Sequence, residues 1–197
     1  MTPATVFAAD GVRIRAFLPR DLDAFARFRA DPVSTAQAYG SVLMPETMDD
    51  VRRPLDVSAA NGDFMLWAWA DDNDDAIGFT TLSGIDRVNR TLWTGSAVLD
   101  PALRGRGVGS TGRRLVLDCV FNEMDFRRIY GEFGAFNEAS RRSHQKMGAE
   151  VVGARRRAYF ISGRYYDAVV YTVQRERFNA LFPPDPDRCL RSLSFGR

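Results

Sequence analysis

The apolar positions of this 197-residue chain follow two rhythms, a two-residue alternation before residue 100 and a strand-and-helix alternation after it. Residues 12–15 form a first strand, ended by Pro19. Asp21 caps a helix in which Leu22, Phe25, Ala26 and Phe28 line one side while Arg27 and Arg29 face away, and Asp31-Pro32 stops it. Residues 33–62 read as irregular to helical, with 46–55 as the second helix. A meander follows. Strands at 64–70, 76–85 and 92–99 are separated by the acidic turn 71–75 and the polar turn 86–90. Trp67, Trp69 and Trp93 belong to sheet packing in this reading.

Beyond Asp100-Pro101 the period changes. A glycine-rich loop leads into a helix at 108–124, with Leu115, Val116, Cys119 and Val120 on one face. A strand at 127–133 precedes a helix at 137–147, which has Asn137 as N-cap and Gly148 just past its end. Strands at 150–161 and 165–175 are joined by the hairpin signal Ser162-Gly163. The pattern places one mixed α/β domain at 10–178. A C-terminal extension follows at 179–197, its proline-rich part opening at Pro183.

Composition narrows the function classes. Hydrophobic residues make up 45% of the chain and charged ones 26%, the balance of a soluble globular domain. A net charge of +2 gives no global field to recruit nucleic acid or an anionic membrane. Cys119 and Cys189 lack metal-ligand spacing and imply neither a metal site nor a disulfide framework. Cys119 reads as a small buried hydrophobe, with a reactive nucleophile as the sharper alternative. Residues 1–10 lack a signal-peptide pattern and no apolar run is long enough to span a bilayer, so a cytoplasmic protein is expected.

The loop Arg104-Gly105-Arg106-Gly107-Val108-Gly109 sits between a strand and a helix. Glycines permit positive φ and close approach of backbone to ligand, and a helix N-terminus offers unpaired N–H groups with partial positive charge. Together they suit a pyrophosphate. Gly107-Val108-Gly109-Ser110-Thr111-Gly112 formally matches a dinucleotide fingerprint, and Glu132 lies about twenty residues beyond it. The intervening segment Asp100 to Arg104 and the antiparallel strands upstream disagree with that fold. No Lys-[Ser/Thr] ending marks a triphosphate loop either.

The Arg104–Gly109 segment resembles the Arg/Gln-x-x-Gly-x-Gly/Ala signature of the GNAT superfamily of N-acetyltransferases. Asp100-Pro101, Asn137-Glu138-Ala139-Ser140, Lys146-Met147-Gly148-Ala149 and Gly163-Arg164-Tyr165-Tyr166-Asp167 extend the resemblance to the branch with ribosomal-protein N-terminal acetyltransferases. It implies a twisted, mostly antiparallel sheet, splayed at its centre, with helices on both faces. It also implies transfer of an acetyl group from acetyl-CoA to a primary amine of a small molecule or peptide, without metal, and leaves a homodimer open.

Residue by residue, the resemblance implies that the amides from Arg106 through Val108, Gly109 and Ser110 to Thr111 bind pyrophosphate, with Arg104 and Gly105 in the same loop. Ala97, Val98 and Leu99 would pair with the pantetheine amides, and Asn137 would contact the pantetheine arm. Ser140 matches a serine that protonates the departing thiolate, and His144 stands where many members place a tyrosine for that task. A solvated His144, beside Arg141, Arg142, Gln145 and Lys146, is the plainer reading. Thr94 and Tyr159 stand where relatives carry glutamates, which leaves Glu132 and Asp86 as acidic candidates for the base. A coenzyme-binding module without turnover is the rival reading. The arginines at 155–157 read as an exposed polar strand whose side chains alternate between faces.

Overall fold

In the computed structural model the chain is described over residues 7–185, except Leu43 and Asn61. An eight-stranded sheet runs in the order β1-β2-β3-β4-β5-β6-β8-β7. The strands are β1 Phe7–Ala9, β2 Val12–Ala16, β3 Met65–Ala70, β4 Ala76–Asp86, β5 Thr91–Val98, β6 Arg128–Gly134, β7 Glu150–Ile161 and β8 Arg164–Gln174. Every neighbouring pair is antiparallel except β5 with β6. The helices are α1 Leu22–Ala30, α2 Pro32–Tyr39, α3 Met48–Ala60, α4 Val108–Asn122, α5 Glu138–Lys146 and α6 Arg175–Leu181.

The inner strands of the sheet are buried on both faces. Alternation in β3 sends Leu66 and Ala68 into a cluster with Phe17, Phe25, Phe28 and Val51 from the α1 and α3 side. Trp69 goes the other way, into the larger cluster that holds Val116, Leu117 and Val120 of α4 and Phe178 of α6. Trp69 is fully buried and donates from Nε1 to Thr80 Oγ1 at 3.0 Å. A Cβ on Gly112 or Gly78 would stand 2.3 Å from its ring. The third glycine of the formal dinucleotide fingerprint is therefore a seat for an indole, which lets α4 lie close on the sheet. Cys119 is buried in the same cluster, as a small hydrophobe would be.

Several elements differ from the sequence reading. β1 precedes the expected first strand, joined to β2 by Asp10-Gly11, both at positive φ. The region 33–62 holds two helices. Asp31 caps α2 by accepting from the amides of Val33 and Ser34, so Asp31-Pro32 ends one helix and starts the next. α3 carries Pro54 inside it. The boundary drawn at residue 178 falls inside α6, where Phe178 is fully buried and Phe182 packs on the same core. Cys189 and the tail from 186 onward lie outside the described residues.

Asp21 does not cap α1 with its side chain. It is buried and holds Arg15. Nη1 of Arg15 donates to Asp21 Oδ2 at 2.6 Å and Nη2 to Oδ1 at 2.9 Å, while Nε donates to Asp74 Oδ1 at 2.9 Å. The carbonyls of Ala16 and Asp74 accept the remaining N–H groups at 3.0 and 2.9 Å. All the donors of a guanidinium that is 1% exposed are thus satisfied.

Candidate active site

β5 and β6 pair only over residues 91–93 and 128–130, and then part. Trp93 and Tyr130 close the apex of this V, with ring centroids 5.5 Å apart. Beyond it β5 keeps its pairing with β4, but its edge facing β6 has no strand partner over residues 94–98. A cavity of about 400 Å³ fills the V. The splay expected in the middle of the sheet is there.

The glycine-rich loop sits at the mouth. Gly105 and Gly107 hold φ of 76° and 88°, and a Cβ on either would meet nothing within 4 Å. These glycines serve the backbone conformation and leave open space above it. The amides of residues 105–109 have no acceptor within the protein among the described residues. Those of Ser110 and Thr111 donate to the Gly107 carbonyl at 2.9 and 3.0 Å. Of the amides 106–111 named from the sequence, 106–109 are therefore free and 105 joins them, while those of 110 and 111 are taken up within the loop. Arg104 donates from Nη2 to Ser34 Oγ, and Ser34 Oγ to Asp31 Oδ2, which fastens the loop to α2. These bonds from Ser34 and the α2 amides hold the Asp31 carboxyl below the usual carboxylate range.

Most sequence-named residues meet in this one cavity: Ala97, Val98, Arg104, Gly105, Gly107, Gly109, Ser110, Glu132, Asn137, Ser140 and His144 all line it. Arg106, Val108 and Thr111 do not. Leu99 is buried in the core on the α1 side and its amide donates to Ile77 O at 2.9 Å, so it is unsuited to pairing with a ligand. Asn137 caps α5 by accepting from the Ser140 amide at 2.9 Å, and its Nδ2 donates to Gln37 O of α2 at 3.2 Å. Asp86 is outside the cavity, its carboxylate accepting from Asn89.

Glu132 is the one carboxylate among the cavity-lining residues. Tyr159 donates from its hydroxyl to Glu132 Oε1 at 2.9 Å, and Arg155 Nη1 lies 2.9 and 2.8 Å from the two oxygens. Burial, followed by the neighbouring Glu132, raises the Tyr159 phenol well above its usual range and keeps it a donor. Arg155 is thus a partner in the site. The three arginines are exposed, as read from the sequence, and a bulge interrupts the ladder between Arg155 and Tyr159, with Arg157 at φ 52°. Gly40, in the left-handed region at the end of α2, makes room for Tyr159: a Cβ there would sit 2.3 Å from the ring.

His144 is 5% exposed, so the solvated reading is wrong. Its ring stands edge-on to Tyr171, 4.1 Å between centroids, and to Phe133 at 5.7 Å. Nδ1 is buried with no protein partner. Burial, with a further push from the Arg113 cation, drops its pKa well below 6.5. The imidazole is therefore neutral around pH 7.

That depression has a measurable sign. The unfolded chain binds a proton at its only histidine near pH 6.5, whereas the folded chain does so much lower. The associated stability is present above about pH 6.5 and is lost as pH falls toward the folded value, at up to about 1.4 kcal/mol per unit. Urea midpoints between pH 6.5 and 5 should fall in the native chain and stay level in His144→Phe. Equal slopes in both would show that His144 is not the group responsible.

Sequence reasoning missed Arg113. It lies on the side of α4 that carries Val116, Leu117 and Val120, at helical spacing where an apolar residue belongs, and that mismatch was the available signal. Nη1 donates to Ser143 Oγ and Nη2 to Ser96 Oγ at 3.0 Å. Burial pulls its pKa below the ordinary arginine value, with Tyr171 working slightly the other way. Burial pushes the Tyr171 phenol up to about 12, with Arg113 and Thr94 acting the other way.

Comparisons with known proteins agree on one relationship. Residues 12–150 match the acetyltransferase (GNAT) domain. The SPbeta prophage-derived uncharacterized N-acetyltransferase YokL of Bacillus subtilis is 26% identical over 174 residues, covering 88% of this chain and 96% of that relative. The N-alpha-acetyltransferase RimI of Mycobacterium tuberculosis is 35% identical over 101 residues, covering 48% of this chain and 57% of that one. Among solved structures, the spermidine N-acetyltransferase of Vibrio cholerae in complex with CoA and spermine superposes with a TM-score of 0.78. It is 18% identical, over 85% of this chain and 98% of that one.

Proposed function

We propose, from the premise that this chain belongs to the GNAT acetyltransferase family, that it moves an acetyl group from acetyl-CoA to a primary amine by direct attack within the V. The carrying observation is the unpaired β5 edge at 94–98, with the free amides of 105–109 at its outer end. An amide-bearing arm lying along that edge would gain strand-like hydrogen bonds, and the loop would hold its pyrophosphate. The same edge offers N–H groups to the oxyanion that develops on the thioester carbonyl.

The amine nitrogen forms a bond to the carbonyl carbon, the C–S bond breaks, and the thiolate takes up a proton. Glu132 would receive the ammonium proton, directly or through a water. Ser140, in the first turn of α5, would hand a proton to sulfur where the helix dipole favours negative charge. His144 lines the same cavity but, held neutral, carries no imidazolium proton at pH 7, so it ranks behind Ser140 for this role. Arg104, Arg142 and Lys146 also line the V, against a Glu132 already paired with Arg155. That balance favours an acceptor with a single ammonium, on a small molecule or a peptide, over a polycation. Ser140 and the Asn137 motif, with the partial match to an N-alpha-acetyltransferase, support kinship with the ribosomal-protein branch.

The test is release of free thiol from acetyl-CoA across a panel of primary amines. With an active amine in hand, Ser140→Ala should lower kcat about tenfold or more while acetyl-CoA affinity holds, the pattern of an interaction made in the transition state. Tight CoA binding without thiol release from any amine would favour a binding module instead.

A further inference from the structure

The cation of Arg113 is held at the floor of the V without a carboxylate. It has no ion pair among the described residues; its hydrogen bonds go to two serine hydroxyls, with Tyr171 and His144 beside it. Half-buried and lining an open cavity, this guanidinium keeps N–H groups to give to an anion that enters there. Its partners are chosen unusually well for one. Each serine accepts from Arg113 and keeps its own O–H to give away. Ser96 reaches in from β5, Ser143 from α5, and the partnerless His144 Nδ1 belongs to the same wall. A fork of guanidinium N–H groups flanked by two hydroxyls fits the planar, two-oxygen face of a carboxylate.

The location says which molecule carries that carboxylate. Ser96 lies within the unpaired stretch of β5, so an acyl group delivered along this edge ends beside Arg113. We infer that the V also accepts, besides acetyl, a short acyl group ending in a carboxylate, with Arg113, Ser96 and Ser143 as its cradle. This rests on the proposed course of the coenzyme along β5. The transfer is otherwise the same: the amine nitrogen bonds to the thioester carbonyl carbon, the C–S bond breaks, sulfur takes up the proton that nitrogen gives up, and the distal carboxylate is unchanged.

Binding tests this without an acceptor. Two stable thioethers of CoA with matched chains, carboxypropyl-CoA and butyl-CoA, differ only in the terminal carboxylate. Calorimetry should show the carboxylate form binding about tenfold to a hundredfold tighter, as expected of hydrogen bonds to a charged group. In Arg113→Met and Arg113→Gln, each checked for a cooperative urea transition, that ratio should fall toward one. Either variant alone suffices should the other not fold, and the native ratio stands without them. Equal affinity for the two thioethers, or preference for butyl-CoA, would overturn the inference alone. So would a ratio that persists in the arginine variants. Failure of CoA itself to bind would overturn this inference and the acetyltransfer reading together.

Discussion

Asp21→Ala is expected to lower the stability of the fold by about 3–5 kcal/mol, because it strips the carboxylate from a guanidinium that has no water to fall back on. Arg15 and Asp21 are 1% and 3% exposed, and the pair is joined through two hydrogen bonds. Asp21 also accepts from the Leu18 amide at 2.8 Å, which shapes the turn into α1. Asp74 would remain on the Nε side, so the loss is partial and not the whole network. For a domain stabilised by about 5–15 kcal/mol this is a large share. The urea midpoint is the readout. A double variant, Arg15→Met with Asp21→Leu, should recover much of the loss, since a buried ion pair replaced by apolar groups is often neutral. A single-variant change below about 1 kcal/mol would mean that solvent reaches Arg15 after all.

Glu132→Gln is the variant expected to damage turnover most. Glutamine keeps the size and can still accept from Tyr159, but it cannot take a proton from the amine. A general base contributes about 10²–10⁴-fold, so kcat should fall by that order with acetyl-CoA affinity nearly unchanged. Arg155→Met provides the contrast: it frees the carboxylate while leaving the base in place, so its loss of kcat should be smaller. Turnover by Glu132→Gln close to native would reduce Glu132 to a fastener for Tyr159 and Arg155.

What the sequence made legible was what short-range chemistry decides. The Arg104–Gly109 loop, the Asn137 cap and the Ser162-Gly163 hairpin, with φ of 50° and 78°, each depend on a few neighbouring residues. Asp21 was misread for the same reason. Its position before an amphipathic run signals a cap, whereas its real partner is a buried arginine on β2 and a turn 53 residues away brings Asp74 to the same cation. Asp10-Gly11 carried a hairpin signal of full strength, overlooked because the strand before it spans only three of the described residues. Glu132, Tyr159 and Arg155 were separately visible, but their meeting depends on β8 lying between β6 and β7. No local pattern states that order.

The rim of the sheet bears on behaviour in crowded solution. Its two edges are β1, three residues long, and β7, twelve residues long and mostly exposed. A long bare edge invites another chain to add a strand. Here the ladder of β7 slips between Val151 and Gly153 and again between Arg155 and Tyr159, and the second slip coincides with three consecutive arginines. Bulges twist the edge out of register and the charges repel a like copy. The stretch of β7 that supplies Arg155 and Tyr159 to Glu132 is thus also the part of the edge least suited to receiving a further strand.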